Sequence, residues 1–291
     1  MRPSFQLSTF NHDRLGVGDQ VEALKDVFGQ QADLDISNDL SKSTALILIE
    51  NFNAYQIKKI RRAKKQTGRK IFVLLTEHIR LAANDFLYLN DEAWNVRREY
   101  IPDLYHRFLT LVELSDVIDG FITLCGEPEL SSIRSVFPAK PIFDLNPVRL
   151  WPQSSAPKDH DFCFIGSLTD YRRNVLSKIS QRFKVFHATG VSAQERSAII
   201  GRSSFSLNIP QHPAWTKISP MRILAAAREG VVTLHLSEHG EAHFPYCAQI
   251  SLDDLLAMSQ EAIESRWAYE SLSPSSDCMK SDLEHFCRWA S

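Results

Sequence analysis

The stretch "DFCFIGSLTDYRRNVLSKI" (residues 161–179) passes from an apolar run through a Gly-Ser turn into a segment that carries Arg172 and Arg173. This order predicts a strand, a tight turn at Gly166 and Ser167, and a helix. Backbone N–H groups at the start of a helix point outward, and the helix dipole favours a negative charge there. The stretch therefore predicts an α/β unit that binds an anion at its turn.

Strands and helices alternate on both sides of a Pro- and Ser-rich stretch, "NPVRLWPQSSAPKDH" (146–160). Short apolar runs such as "TALILIE" (44–50) and "VVTLHL" (231–236) are typical of buried parallel strands. The change in composition between the two halves indicates a linker. We therefore predict an α/β protein with two Rossmann-like domains facing each other across a cleft. The domains are residues 1–150 and residues 151–291, and the second one has a helical tail.

The composition of the chain narrows the choice of partners and location. Its 291 residues include 33 Lys and Arg against 35 Asp and Glu, a net charge of -2. Because there is no overall positive field, we expect no nucleic-acid partner. The sequence has neither the run of roughly 20 apolar residues that a bilayer span requires nor the apolar core of a signal peptide. These features predict a cytoplasmic protein, and five cysteines without metal-binding spacing predict no metal site.

Three segments of the second half resemble a known family. They are the stretch 161–179, "RSSFSLNI" (202–209) and "SPMRILAAAREGVVTLHLSE" (219–238). A strand ends in Gly-Ser, a later strand ends near an Asn, and a Ser-x-x-Arg helix runs into a Gly before the next strand. This order resembles the C-terminal, donor-binding domain of GT-B glycosyltransferases, in particular the CgeB-like and group-1-like bacterial families.

The resemblance implies transfer of a sugar from a nucleotide-activated donor to an acceptor glycan, lipid-linked glycan or protein. It implies no cofactor beyond the nucleotide-sugar substrate, and we expect arginine and helix N-termini rather than a metal to hold the phosphates. Two other functions stay open on the same fold: a sugar-nucleotide epimerase, and a non-catalytic protein that binds a nucleotide or glycan. The expected donor-binding residues are Gly166, Ser167, Arg172, Asn208, Lys217, Ser219, Arg222 and Glu238.

The catalytic residues are expected in the first half of the chain. Many retaining relatives carry two glutamates ahead of the helix-ending glycine, whereas those places hold Lys217 and Ala225 here. An inverting transferase needs a general base, which in this architecture comes from the N-terminal domain. Glu77 is the first candidate because it follows the apolar run "KIFVLL" (70–75).

The first loop holds the other candidates for the acceptor side. Asp13 and His12 are the next choices for the base after Glu77. The stretch "RLGVGDQ" (14–20), with Gly16 and Gly18, is predicted to be a loop on the acceptor side.

Residues 58–70, "KKIRRAKKQTGRK", place eight Lys or Arg in thirteen positions. Such runs are usually solvated faces of helices. The alternative is docking to anionic lipid, which contributes roughly 1 kcal/mol per basic residue near the surface. That function would suit a lipid-linked acceptor at the inner face of the membrane.

Overall fold

A computed structural model describes residues 2–10, 14–29, 31–42, 44–76, 101–124, 131–211, 213, 218–237, 244–275 and 277–290. The chain divides into two compact units. The first unit comprises Met1–Pro147 and Lys280–Ser291, and the second comprises Val148–Met279. Within the described ranges, no helix has both the length and the apolar character that crossing a bilayer requires.

The first unit is built on a six-stranded parallel sheet with the strand order β2-β1-β3-β4-β5-β6. Its strands are β1 (Ser4–Ser8), β2 (Asp33–Ile36), β3 (Ala45–Ile49), β4 (Ile71–Leu74), β5 (Gly120–Thr123) and β6 (Ile142–Asp144). Its helices are α1 (Arg14–Phe28), α2 (Ala54–Thr67), α3 (Ile101–Glu113), α4 (Ser131–Val136) and, from the end of the chain, α10 (Leu283–Ala290).

Apolar runs and helix caps explain these elements. Every residue of β3 and β4 is buried, as expected for central strands of a parallel sheet that is covered on both faces. Helix α2 begins with a capping box, in which Asn53 and Gln56 each accept a hydrogen bond from the other's backbone N–H. It ends at Gly68 in the left-handed conformation that a helix terminus favours.

The second unit is built on a five-stranded parallel sheet with the strand order β11-β10-β9-β7-β8. Its strands are β7 (His160–Ile165), β8 (Val185–Ala188), β9 (Ser203–Asn208), β10 (Val232–Leu236) and β11 (Cys247–Ile250). Its helices are α5 (Asp170–Ile179), α6 (Ala193–Gly201), α7 (Pro220–Arg228), α8 (Leu252–Ala257) and α9 (Gln260–Arg266). The prediction of two Rossmann-like α/β domains is confirmed.

The prediction that the helical tail belongs to the second domain is wrong. Helix α10 packs in the first unit, where the Phe286 ring lies 5.1 Å from Phe5, 4.8 Å from Phe72 and 5.3 Å from Phe143 between centroids. The buried side chains of α10 complete an aromatic cluster beside the sheet. This burial places the tail in the first unit, although the tail directly follows the second unit in the sequence. The boundary between the units follows Pro147, three residues before the predicted one.

The first-loop prediction is also wrong, because Gly16 and Gly18 lie in α1. An apolar stripe at helical spacing begins at Val17 and continues through Leu24 to Phe28, and all three side chains are buried. Burial of this stripe outweighs the cost of glycine in a helix, about 1 kcal/mol per residue. The neighbouring His12 and Asp13 lie outside the described residues.

The Pro- and Ser-rich linker runs along the second unit. Ser154 N–H donates to the Gly230 carbonyl at 3.2 Å, and Trp151 N–H donates to the Tyr246 hydroxyl at 3.2 Å. Gly230 has a φ of +65°, and a Cβ there would overlap the Pro152 and Ser154 backbone. A glycine is therefore required where α7 turns into β10 beneath the linker.

Candidate functional site

Three neighbouring strands of the second unit end at one edge of the sheet. Gly166 directly follows β7, Asn208 is the last residue of β9, and His235 is the penultimate residue of β10. Asn208 and His235 are partners in the register of the parallel pair, so their side chains lie on the same face of the sheet. Ligands bind at the carboxyl edge of such sheets, which makes this edge the candidate site.

Arg222 lies in the first turn of α7, the helix that connects β9 to β10. Its Nη1 donates to Asn208 Oδ1 at 2.6 Å, and its guanidinium lies 5.8 Å from the centroid of the Phe164 ring. The amide and the ring hold the guanidinium at the edge of the sheet. A fixed, partly buried guanidinium is suited to bind phosphate oxygens through its planar fork of donors.

Gly166 lies beside this guanidinium. A Cβ at this position would lie 3.3 Å from Arg222 Nη2 and 3.4 Å from the Phe164 ring, and the backbone φ is +156°. The Gly166 N–H donates to the Ala188 carbonyl at 2.9 Å, which ties the turn to β8. Glycine therefore keeps open the space next to the guanidinium.

Arg172 is a predicted donor-binding residue, and the structure favours a different role for it. Its Nε and Nη2 donate to the Ile209 carbonyl at 2.9 and 2.8 Å, and its Nη1 donates to the Ser167 carbonyl at 2.9 Å. The side chain is buried and fastens the turn after β7 to the residue after β9. Arg173 is exposed and pairs with Asp170. Arg172 therefore positions the site from within.

Two serine hydroxyls flank the site. Ser219 occupies the N-cap position of α7, yet its side chain makes no capping hydrogen bond, and Pro220 takes the first helical position. Ser167 is exposed in the turn after β7, while Thr169 caps α5 by accepting from the Arg172 N–H at 3.2 Å. Neither serine hydroxyl serves as the cap of its helix, which fits the predicted contacts with a ligand.

His235 belongs to the site and was not predicted from the sequence. It is buried, and its Nδ1 lies 3.2 Å from Asn208 Nδ2 and 3.1 Å from the Asn208 carbonyl oxygen. Burial lowers the pKa of His235, the hydrogen bond with the Asn208 carbonyl opposes this, and the Arg222 charge lowers the pKa further. The ring is therefore neutral at pH 7. The feature of the sequence that could have indicated it is a histidine within the largely apolar run 231–236.

The first unit also has a buried carboxyl group at the carboxyl edge of its sheet. Glu50 follows β3 and is fully buried; its Oε1 accepts from the Thr76 N–H at 2.9 Å and from the Thr76 hydroxyl at 2.8 Å. Arg107 Nη1 lies 3.8 Å from the same oxygen. The next residue, Asn51, has a φ of +84°, a strained conformation of the kind that clusters at functional sites.

Several predicted site residues lie outside the described part of the chain: His12, Asp13, Glu77, Lys217 and Glu238. Their roles stay predictions. Within the described ranges, no group of three or more His, Cys, Asp or Glu side chains is arranged to hold a metal ion.

No protein-family model matches the sequence, and no curated protein is detectably similar to it. Solved structures of similar fold exist. A point mutant of T4 phage β-glucosyltransferase in complex with UDP-glucose matches at a TM-score of 0.50 and 12% identity over 100% of this chain and 97% of that chain. A second structure of the enzyme, described with its substrate binding and proposed catalytic mechanism, gives 0.50 and 12% over 99% and 97%.

Both matches extend over essentially the full length of each protein. Together with the two parallel sheets, they show that this chain has a fold of two Rossmann-like domains that is similar to the fold of that enzyme. The predicted GT-B-like fold is confirmed. The similarity to CgeB-like proteins remains a resemblance of the quoted segments.

Proposed function

We propose that the chain is a glycosyltransferase that transfers a sugar from a nucleotide-sugar donor bound by the second unit. The observation that carries this proposal is the guanidinium of Arg222, held by Asn208 beside the space that Gly166 keeps open. T4 phage β-glucosyltransferase, which shares the fold, has been crystallised with UDP-glucose. UDP-glucose is therefore the first donor to test.

The expected chemistry is electrostatic stabilisation of the leaving nucleotide. As the glycosidic bond breaks, negative charge develops on the diphosphate, and we propose that Arg222 and the first turn of α7 bind it. Ser167 and Ser219 add hydroxyl donors, and Lys217 and Glu238 are proposed to contact the phosphates and the ribose. Because the guanidinium supplies the positive charge, we propose that donor binding needs no metal ion.

The acceptor is proposed to bind the first unit. Glu77 is the proposed general base, with Asp13 and His12 as the second choice, and it directly follows Thr76, which Glu50 holds through two hydrogen bonds. The chain is thereby fixed immediately before the proposed base. We keep a glycan, a lipid-linked glycan or a protein as acceptor classes.

Some basic side chains of residues 58–70 have partners within the first unit, so the surface that could contact a membrane is smaller than the charge count suggested. Arg61 pairs with Asp116 at 2.6 Å and Lys64 pairs with Asp119 at 2.5 Å. Buried Arg69 donates to the Lys42 carbonyl at 2.6 Å. These three side chains therefore already have partners within the first unit.

Four basic side chains of α2 remain on its exposed surface, and Tyr55 lies beside them with 66% of its surface exposed. We define the basic face as Lys58, Lys59, Arg62 and Lys65. We propose that this face contacts anionic lipid, which would bring the enzyme to a lipid-linked acceptor.

A panel of UDP-, GDP-, CMP- and dTDP-sugars tests the proposed function. One donor should raise the melting temperature, because a ligand that binds only the folded state stabilises it. With the acceptor present, the same donor should release its nucleotide, and excess EDTA should leave donor binding intact. An epimerase would convert the donor without acceptor, and a binding protein would release no nucleotide under either condition. Either result would contradict the proposal.

A further inference from the structure

Of the two ring nitrogens of the buried His235, one has hydrogen-bond partners among the described residues and the other has none. His235 Nδ1 contacts the side chain and the carbonyl of Asn208, and its Nε2 has no hydrogen-bond partner within the residues that the structure describes. A buried polar atom without a partner costs about 1–3 kcal/mol. An apolar residue would avoid this cost, so the stability of the sheet gives no reason for a histidine here.

The orientation of the Asn208 amide depends on the protonation of this ring. Because Arg222 Nη1 donates to Asn208 Oδ1, the amide turns its Nδ2 toward His235 Nδ1. Nδ2 is a donor, and a neutral ring with its proton on Nε2 can offer it the Nδ1 lone pair, whereas a ring with a proton on Nδ1 donates to the Asn208 carbonyl and leaves Nδ2 without an acceptor. In a doubly protonated ring Nδ1–H donates to the Asn208 carbonyl and faces Nδ2 donor to donor, which disfavours the amide orientation that presents Oδ1 to Arg222.

Resting on the proposed function, we propose that His235 is a positioning residue of the donor site: through Asn208 it holds the Arg222 guanidinium in the orientation that binds the nucleotide phosphates. His235 acts in its neutral form. Protonation turns Nδ1 into a donor that opposes Asn208 Nδ2, displaces the amide and so releases Arg222.

Two ionisable groups in the described part of the chain act on His235 from the elements packed around it. One is Arg222 on α7, whose charge disfavours the imidazolium. The other is the Cys247 thiol on β11, which interacts with the His235 backbone. Burial raises the pKa of Cys247 to about 12, so this thiol stays neutral and does not offset the guanidinium.

Two substitutions separate positioning from simple packing. His235→Leu removes the acceptor but keeps an apolar body, and His235→Asn offers an oxygen near the place of Nδ1 without titrating. We expect His235→Leu to weaken UDP-glucose binding about tenfold, equivalent to about 1.4 kcal/mol, with no loss of melting temperature. His235→Asn should recover most of the affinity and abolish the loss of binding at acid pH.

A matched control is His160→Leu, since His160 begins β7 and therefore lies at the end of that strand opposite to Gly166. It should bind UDP-glucose as the wild type does. Wild-type affinity and an unchanged pH profile in His235→Leu would overturn the proposal.

A measurement without donor keeps this test separate from the proposed function. NMR titration of the imidazole should show the His235 pKa rising in Arg222→Ala, because the repelling charge is gone. The Asn208 side-chain amide should shift over the same pH range in the wild type. An unchanged His235 pKa and a static Asn208 amide would overturn the positioning role, whether or not any nucleotide-sugar binds.

Discussion

Arg222 Nη1 and Asn208 Oδ1 lie 2.6 Å apart, and this bond joins the first turn of α7 to the last residue of β9. The bond fixes a long, otherwise adaptable side chain at the carboxyl edge of the second sheet. A guanidinium fixed before a ligand arrives loses little conformational entropy on binding. The bond thus favours the phosphate contact that we propose for Arg222.

Arg222→Ala should weaken binding of the nucleotide-sugar by about 1.5–3 kcal/mol, the cost of one lost charge-assisted hydrogen bond. The fold should stay intact, because the side chain lies at the edge of the sheet. Isothermal titration calorimetry with UDP-glucose measures the change. Arg173→Ala is the matched control, since Arg173 lies on α5, is exposed and pairs with Asp170. Equal affinities of the two variants would place the phosphate site elsewhere.

Gly166→Ala should reduce donor affinity by closing the space beside the guanidinium. The new Cβ would lie 3.3 Å from Arg222 Nη2, so the side chain would have to shift. Gly190→Ala is a suitable control because Gly190 has a φ of +67° and a Cβ added there would meet no atom within 4 Å. Both variants should lose some melting temperature through backbone strain. Only Gly166→Ala should lose donor affinity. An equal loss of donor affinity in Gly190→Ala would contradict a local effect at Gly166.

The lowered pKa of His235 predicts how stability depends on pH. The unfolded chain takes up a proton on this residue near the ordinary value of 6.5, whereas the folded protein does so only at a lower pH. Between these values the unfolded state binds more protons, so the free energy of unfolding falls as the pH falls below 6.5. It levels off once folded His235 is protonated as well.

Urea denaturation of the wild type and His235→Leu across this pH range isolates the contribution of His235. The difference between the two curves should shrink at higher pH and grow on acidification. Parallel curves would show that His235 titrates alike in the folded and unfolded states.

Local patterns were sufficient to find part of the candidate site. Gly166 follows an apolar run, Asn208 ends another, and Arg222 lies three residues after a serine at a helix start. Parallel strands bring such positions to one edge of a sheet, so the strand pattern alone predicts that they meet. The contact between Arg222 and Asn208 confirms that they do.

Other features depend on tertiary contacts that no local pattern specifies. The periodicity of α10 predicts an apolar face, but not that Phe286 packs on the first sheet. Two adjacent arginines open α5, yet only the folded chain shows that Arg172 reaches the Ile209 carbonyl, 37 residues away. In His235, a polar residue within an apolar strand resembles a tolerated core residue until its register partner, Asn208, is known.

The basic face of α2 should bind anionic membranes. Replacing Lys58, Arg62 and Lys65 together by Glu should remove about 3 kcal/mol of attraction even if only the lost positive charges count. Co-sedimentation with phosphatidylglycerol vesicles measures this, and pure phosphatidylcholine vesicles should bind neither protein. A triple variant at the exposed Lys178, Arg182 and Lys184 of the second unit has the same change of charge and should bind as the wild type does. Equal loss in both triple variants would indicate a net-charge effect without a specific surface.

The proposed general base gives the sharpest separation of a transferase from a binding protein. Glu77→Gln preserves the size of the side chain and removes its ability to accept a proton. Turnover should therefore fall about 100-fold to 10,000-fold, as is typical for loss of a general base. The donor affinity should stay at the wild-type level, because the proposed donor site lies in the second unit.

Single-turnover kinetics and calorimetry on the same preparation measure the rate and the affinity of Glu77→Gln separately. Glu113→Gln is the control, since Glu113 is an exposed glutamate at the end of α3. Its turnover should equal that of the wild type. If Glu77→Gln also turns over at the wild-type rate, Glu77 is not the base, and Asp13→Asn becomes the decisive variant.

Because Glu50 fixes Thr76 through two hydrogen bonds, Glu50→Gln should lower turnover as well, by loosening the chain immediately before Glu77.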